Sequence, residues 1–185
     1  MKFRVILADP PWKYADFGHA NNGAARNHYP LMTQERLCAL PVAKLAADPC
    51  ALFLWATGPK MIEALEVVDA WGFDFKTVAF TWHKTGNIGL GSYTRTSEEF
   101  VLLGTRPRQN HGLTKLLRSH SVRSFVEASR GEHSEKPEQV ARRIEDLFPG
   151  PYLELFARKT RPGWSVFGNA LPNGGDSCVV DVLCV

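Results

Sequence analysis

Short apolar runs of two different periods alternate along the chain, and they set out the expected elements. Phe3 to Ala8 is a near-continuous apolar run of strand length, and Ala51-Leu52-Phe53-Leu54-Trp55-Ala56 is a second. The polar stretch from Asp16 to His28, rich in Asn, Gly and Ala, is expected to form a mobile loop beside Asp9. Thr33 to Leu40 predicts a short helix opened by a Thr33 cap and stopped by Pro41. Met61, Leu65 and Val68 recur at helical spacing, which predicts a helix from about Pro59 to Ala70, closed by Trp71-Gly72. Phe73 to Trp82 reads as a strand, His83 to Gly91 as a glycine-rich loop, Phe100 to Leu103 as a strand and Val122 to Val126 as a weaker one. Ser134 is the expected cap of a last helix, with Pro137 inside its first turn and Val140, Ile144 and Leu147 on its buried face, ending at Phe148-Pro149-Gly150. Tyr152 to Ala157 and Trp164 to Phe167 read as two final strands.

Strands and helices in this alternation predict an α/β fold with a mostly parallel sheet covered on both faces. Ligands of such sheets bind beyond the carboxyl ends of the strands, which sends Asp9 and Arg158 to one cleft. Gly86-x-x-Gly89-x-Gly91 lacks the helix pattern that a nucleotide-binding turn needs after it, so a flexible substrate-facing loop is expected there.

At 185 residues and 44% hydrophobic, the chain is sized for one packed domain, expected to span residues 1–171 with a Gly-rich, then apolar tail over 172–185. The net charge of +3 permits a polyanionic partner without demanding one. Between Glu99 and Glu127 no acidic residue occurs, while Arg106, Arg108, Lys115, Arg118 and Arg123 do, an expected phosphate-tracking stretch. Cys38, Cys50, Cys178 and Cys184 show neither C-x-x-C spacing nor neighbouring paired histidines, so no metal site and no disulfide framework is indicated. No apolar run has the length of a signal peptide or a membrane span, and the expectation is a reduced, cytoplasmic protein with no membrane partner.

The chemistry concentrates in Asp9-Pro10-Pro11-Trp12, at the end of the first strand. The lone pair of an exocyclic nucleobase amine is delocalised into the ring, so the amine is a poor nucleophile until acceptors hold its hydrogens. Asp9 supplies one acceptor. Pro10 and Pro11 stiffen the turn and leave a backbone C=O aimed outward as a second, and Trp12 offers a face for the base.

Asp9-Pro10-Pro11-Trp12, Trp82-x-Lys84, Glu99, Lys136-Pro137, Glu154-Leu155-Phe156-Ala157-Arg158 and Trp164 followed by Gly168-Asn169 occur in this order from Val5 to about Leu171. Together they resemble the MT-A70-like family of S-adenosylmethionine-dependent adenine N6-methyltransferases, which includes the catalytic subunit of the eukaryotic mRNA adenosine methyltransferase and compact bacterial and phage members. The resemblance implies a Rossmann-like methyltransferase fold with circularly permuted motif order. It implies a catalytic motif of Asp9, Pro10, Pro11 and Trp12, in which Asp9 and the Pro10 backbone take the amine and Trp12 stacks on or walls the base. Tyr29, in Tyr29-x-x-Met32, would line the base pocket, with Trp82, Lys84 and Glu99 around the acceptor. Asp9 and Lys136 would lie between cofactor and acceptor, and Arg158 and Asn169 would hydrogen-bond the ribose and carboxylate end of S-adenosylmethionine.

Taken singly, Lys136 reads as a surface lysine, Glu154 as a strand residue and Asn169 as a turn residue; only the joint pattern lifts them above that. Departures from the family pattern are Ala157 in place of glycine, a short Lys159 to Gly163 segment, and Ala170 in place of a polar residue. The implied substrate is nucleic acid, DNA ahead of RNA, and a second copy or a related subunit is a further expected partner. A catalytically silent nucleic-acid-binding subunit and a protein-amide methyltransferase are the competing readings.

Overall fold

Six strands of one seven-stranded sheet run the same way and a seventh runs against them, in the order β5-β3-β4-β2-β1-β6-β7. The computed structural model describes residues 1–14, 31–86, 93–107, 112–131, 135–176 and 179. The strands are β1 (Phe3–Ala8), β2 (Ala46–Ala56), β3 (Asp74–Thr85), β4 (Glu98–Arg106), β5 (Phe125–Ser129), β6 (Tyr152–Leu155) and β7 (Trp164–Phe167). The helices are α1 (Gln34–Cys38), α2 (Met61–Ala70) and α3 (Glu138–Leu147). β1 lies between β2 and β6, parallel to both, whereas β4 pairs antiparallel with β2 and with β3.

Alternation along the central strands feeds two cores. Phe3, Ile6, Leu52 and Leu54 face the side covered by α1 and α2, where Leu37, Val67, Val68 and Trp71 pack. Val5, Leu7, Phe53 and Trp55 face the side covered by α3, against Val140, Ala141 and Ile144. The mostly parallel sheet covered on both faces is therefore as the periodicities predict.

Several boundaries differ from expectation, each for a local reason. β2 begins at Ala46, because Phe3 pairs with Ala46 and Val5 with Ala51, and the polar Asp48-Pro49 falls in the bulge between. β3 does not give way to a loop after Trp82: His83 pairs with Glu98, and Lys84 and Thr85 with Ala128 and Ser129. That carries polar side chains to the same end of the sheet as Asp9. β5 starts at Phe125 rather than Val122. Pro137 is the N-cap of α3 instead of a first-turn residue, and the expected cap Ser134 lies outside the described residues. β6 stops at Leu155, because Phe156 adopts φ 62°. Thr33 does cap α1, its hydroxyl accepting the Arg36 N–H at 3.4 Å.

Residues beyond 171 close the β7 edge: Gly175 bridges Phe167, and the Asp176 N–H donates to the Val166 carbonyl at 2.9 Å. Among the described residues no helix is long and apolar enough to cross a membrane.

Candidate active site

Asp9 leaves β1 one residue past its last paired position, and its N–H reaches the Leu155 carbonyl of β6 at 3.4 Å. The turn that follows is tied twice: the Trp12 N–H donates to the Pro10 carbonyl at 2.8 Å, and the Met32 N–H to the Pro11 carbonyl at 2.9 Å. The Pro10 oxygen is thus already an acceptor within its own turn, which leaves one of its two lone pairs for a ligand. Trp12 is buried, 7% exposed, in the core on the α1/α2 side. Its indole N–H donates to the Trp55 carbonyl at 3.1 Å. Trp12 thus fastens the acidic turn to β2 with its indole largely buried, an arrangement in keeping with walling the base rather than stacking on it.

Lys136, immediately before α3, places Nζ 2.9 Å from Asp9 Oδ2 and 3.3 Å from Glu99 Oε2. Glu99 Oε1 in turn lies 2.6 Å from Lys84 Nζ. Four charges of alternating sign, from β1, the approach to α3, β4 and β3, thus form one chain. Two indoles lie beneath it, Lys136 over Trp55 at 5.3 Å and Lys84 over Trp82 at 5.2 Å, the rings meeting edge-on at 6.1 Å. The Trp82 N–H donates to the Ala128 carbonyl at 3.0 Å, which fixes that ring from β5.

Burial pushes the Asp9 carboxyl up, and the neighbouring Lys136 only partly offsets this. Burial would also raise Glu99, but two flanking ammonium groups hold it below the ordinary carboxylate value. For Lys136 burial favours the neutral amine, yet Asp9 and Glu99 prevail and its pKa is raised. Asp9 is therefore the weak member of the chain, the carboxylate whose charge is least supported.

A cavity of about 290 Å³ opens beside Asp9 and Lys136, walled by Trp55 and Phe156, with Glu154 and Arg158 farther round. Glu154 is held by Arg161 at 3.0 Å, and burial raises its pKa. Gly168 passes so close to the β6 end that a Cβ there would sit 2.0 Å from the Ala157 oxygen. This brings the exposed turn residue Asn169 against the Ala157-Arg158 segment, although Asn169 does not itself line the cavity. Carboxylates, apolar walls and a guanidinium in one concavity suit a cofactor that joins a cation, a planar base and a carboxylate.

The structure brings Asp9, Lys84, Glu99 and Lys136 together, puts Trp82 under them and Arg158 on the adjoining wall. Tyr29 and Arg108 lie outside the described residues. Arg106 and Arg118 of the basic stretch do not belong to this end of the molecule. β4 runs against the other strands, so Glu98 and Glu99 start it near Asp9 and Arg106 ends it at the far edge. There Arg106 binds Asp48 at 3.0 Å and the Ala43 carbonyl at 3.2 Å. Arg118 donates to the Glu145 carbonyl at 3.3 Å near the carboxyl end of α3. Those two residues brace the opposite end of the strands, and the phosphate-tracking expectation is corrected for them.

Sequence reasoning passed over Trp55, Thr57 and Tyr14. The available signal was the same strand-end rule that singled out Asp9, since Trp55-Ala56-Thr57-Gly58 ends the neighbouring parallel strand. Nothing in the sequence announces the positive φ that turns Phe156 into the cavity wall.

An α/β sheet with an acidic turn and a cavity at the carboxyl ends of β1 and β6 has the architecture of a Rossmann-like methyltransferase fold. Comparison with known proteins is more particular: over residues 3–170 the chain matches MT-A70. It belongs to the MT-A70 family, which is one of S-adenosylmethionine-dependent N6-adenine methyltransferases. A Mycoplasma type II methyltransferase, M.MunI, is 35% identical, with 93% of this chain and 79% of that protein covered. The human N(6)-adenine-specific methyltransferase METTL4 is 31% identical over 90% of this chain and 37% of its own. The human N(6)-adenosine-methyltransferase catalytic subunit METTL3 is 29% identical over 92% and 28%.

Proposed function

We propose that this chain transfers the methyl group of S-adenosylmethionine to the N6 amine of adenine in nucleic acid, with DNA as the preferred polymer. The observation that carries the reading is the Asp9 carboxylate at the β1 end, held by Lys136 at 2.9 Å on the rim of a cavity that leads to Arg158. When bound, the cofactor supplies an electrophilic methyl on a sulfonium; Arg158 would take its carboxylate end, assisted by Asn169 from the rim.

The remaining work falls to the chain. With Oδ2 occupied by Lys136, Asp9 Oδ1 accepts one amine hydrogen and the free lone pair of the Pro10 carbonyl accepts the other. Holding both hydrogens turns the nitrogen lone pair out of the ring plane and toward the cavity, a preorganised near-attack geometry. Asp9 need not be a strong base, because the amine proton becomes acidic only once the nitrogen is alkylated; Asp9 Oδ1, already hydrogen-bonded to it, then takes that proton and passes it to water. Lys136 keeps Asp9 aimed, and Glu99 with Lys84 keeps Lys136 charged and in place.

DNA is preferred because a relative matched over most of both chains is a type II methyltransferase, while the adenosine methyltransferase extends far beyond the matched part. The test is tritiated-methyl transfer to unmethylated DNA, RNA and protein in parallel, followed by nucleoside analysis. Label in N6-methyldeoxyadenosine is the expected result. Label in RNA alone moves the polymer to RNA, label in protein sinks the nucleic-acid reading, and no label anywhere leaves a silent nucleic-acid-binding subunit.

A further inference from the structure

With the motif aromatic shut into the core, an extruded base needs another surface, and Tyr14 is the exposed aromatic that follows it in the same turn. Trp12 is 7% exposed and Tyr14, two residues on, is 39% exposed. The Tyr14 hydroxyl shares a 2.9 Å hydrogen bond with Thr57 Oγ1. Thr57 directly follows β2, and β2 pairs with β1 up to Ala8↔Leu54, so the phenol is anchored at the same level of the sheet as the acidic turn. Lys60 Nζ lies over the ring at 5.6 Å and is itself paired with Glu63 at 2.7 Å. A ring fixed at its hydroxyl and supported by a cation on one face is a rigid platform, and the ammonium strengthens its affinity for an electron-rich partner. Burial raises the Tyr14 pKa, and Glu99, Lys136 and Asp9 all act on it, in keeping with a phenol inside the field of the reacting groups.

We propose that Tyr14 is the stacking surface for the target adenine, and that Trp12 acts only by fixing the Asp9 turn. The inference rests on the adenine-methyltransferase reading above. An extruded base loses its neighbours in the stack, and an aromatic platform returns part of that stacking without regard to flanking sequence.

The test uses the full chain with unmethylated duplex DNA of mixed sequence. Parent, Tyr14→Phe, Tyr14→Trp, Tyr14→Leu and Tyr14→Ala are compared in kcat/KM for tritiated-methyl transfer. Cofactor affinity by calorimetry and thermal midpoint are measured for each. Leucine keeps apolar bulk without a π face. The expected result is that Leu and Ala lower kcat/KM by about tenfold or more, chiefly through KM for DNA, with cofactor affinity unchanged, while Phe and Trp, which keep a π face but lose the anchoring hydroxyl, fall by clearly less than Leu and Ala. Equal kcat/KM for parent, Leu and Ala overturns the assignment to Tyr14 and leaves the enzymatic reading standing. A loss shared by all four variants with a lowered thermal midpoint overturns it too, since the role is then structural. No transfer by the parent to DNA or RNA overturns the enzymatic reading and this inference with it.

Discussion

Lys136 Nζ lies 2.9 Å from Asp9 Oδ2, a contact that joins the end of the first strand to the approach of α3. The pair is mostly removed from water and extended by Glu99 and Lys84, so each cation meets a carboxylate. Isolated buried pairs cost more in lost hydration than they return, and completion of the chain by further partners is what makes such burial tolerable. The balance is uneven, with Asp9 raised and Glu99 lowered.

Replacing Asp9 by Ala removes the acceptor aimed at the amine while Lys136 keeps Glu99. Methyl transfer should fall by about a hundredfold or more, the usual consequence of deleting one preorganised hydrogen-bonding group. Circular dichroism and cofactor titration should match the parent. Turnover near the parent rate would refute the mechanism.

The charge imbalance predicts a pH dependence of stability at Asp9. A carboxyl whose folded pKa is raised favours folding fully only below its unfolded value, near 3.9, and that contribution is lost as pH rises through the folded value. The melting midpoint of Asp9→Asn relative to the parent should therefore rise as pH increases from about 4 toward 7, although the variant is catalytically impaired. Glu99 has the opposite sign: its depressed pKa contributes stability above about pH 4.3 that is lost on acidification, so Glu99→Gln should melt below the parent at pH 7 and converge with it in acid. Melting curves across this range decide both.

Trp12→Phe keeps the ring but leaves the Trp55 carbonyl without its indole donor. The expected loss is about 1–2 kcal/mol in urea unfolding. Because the same bond fixes the Asp9 turn, kcat should fall while cofactor affinity holds.

At Gly168 a methyl group would collide with backbone rather than with a movable side chain, its Cβ falling 2.0 Å from the Ala157 oxygen. Gly168→Ala should destabilise the fold by roughly 1–3 kcal/mol or more and weaken S-adenosylmethionine binding, since the displaced strand end carries Arg158. Unchanged affinity in calorimetry would remove Arg158 from the cofactor site.

Much of this arrangement was legible because it is local. β1 was readable to the residue, and the strand-end rule was enough to select Asp9. Lys136 was visible only through the joint motif, because its contact depends on how α3 docks, and no local pattern near residue 136 encodes that. Whether Trp12 stacks on the base or only walls its pocket is not legible in the motif, because a motif gives the residue type and not the side of β2 it enters. The basic stretch misled for a topological reason: charge spacing does not tell which end of a strand a residue occupies, and the one reversed strand, β4, carries Arg106 away from Asp9.

That reversal changes what salt should reveal about nucleic-acid binding. Each phosphate neutralised on a duplex contributes about −0.9 to the slope of log affinity against log salt, through release of condensed counterions. Arg106 is already committed to Asp48 and the Ala43 carbonyl at the far edge, so Arg106→Gln should lower stability and leave the slope unaltered. Lys13, beside the catalytic turn, and Arg95, on the connection that enters β4 near Glu99, are both exposed at the Asp9 end. The double variant Lys13→Gln, Arg95→Gln should flatten the slope by nearly two units with S-adenosylmethionine affinity unchanged. If Arg106→Gln flattens the plot and the double variant does not, the polymer crosses the opposite edge of the sheet and cannot deliver its adenine to Asp9.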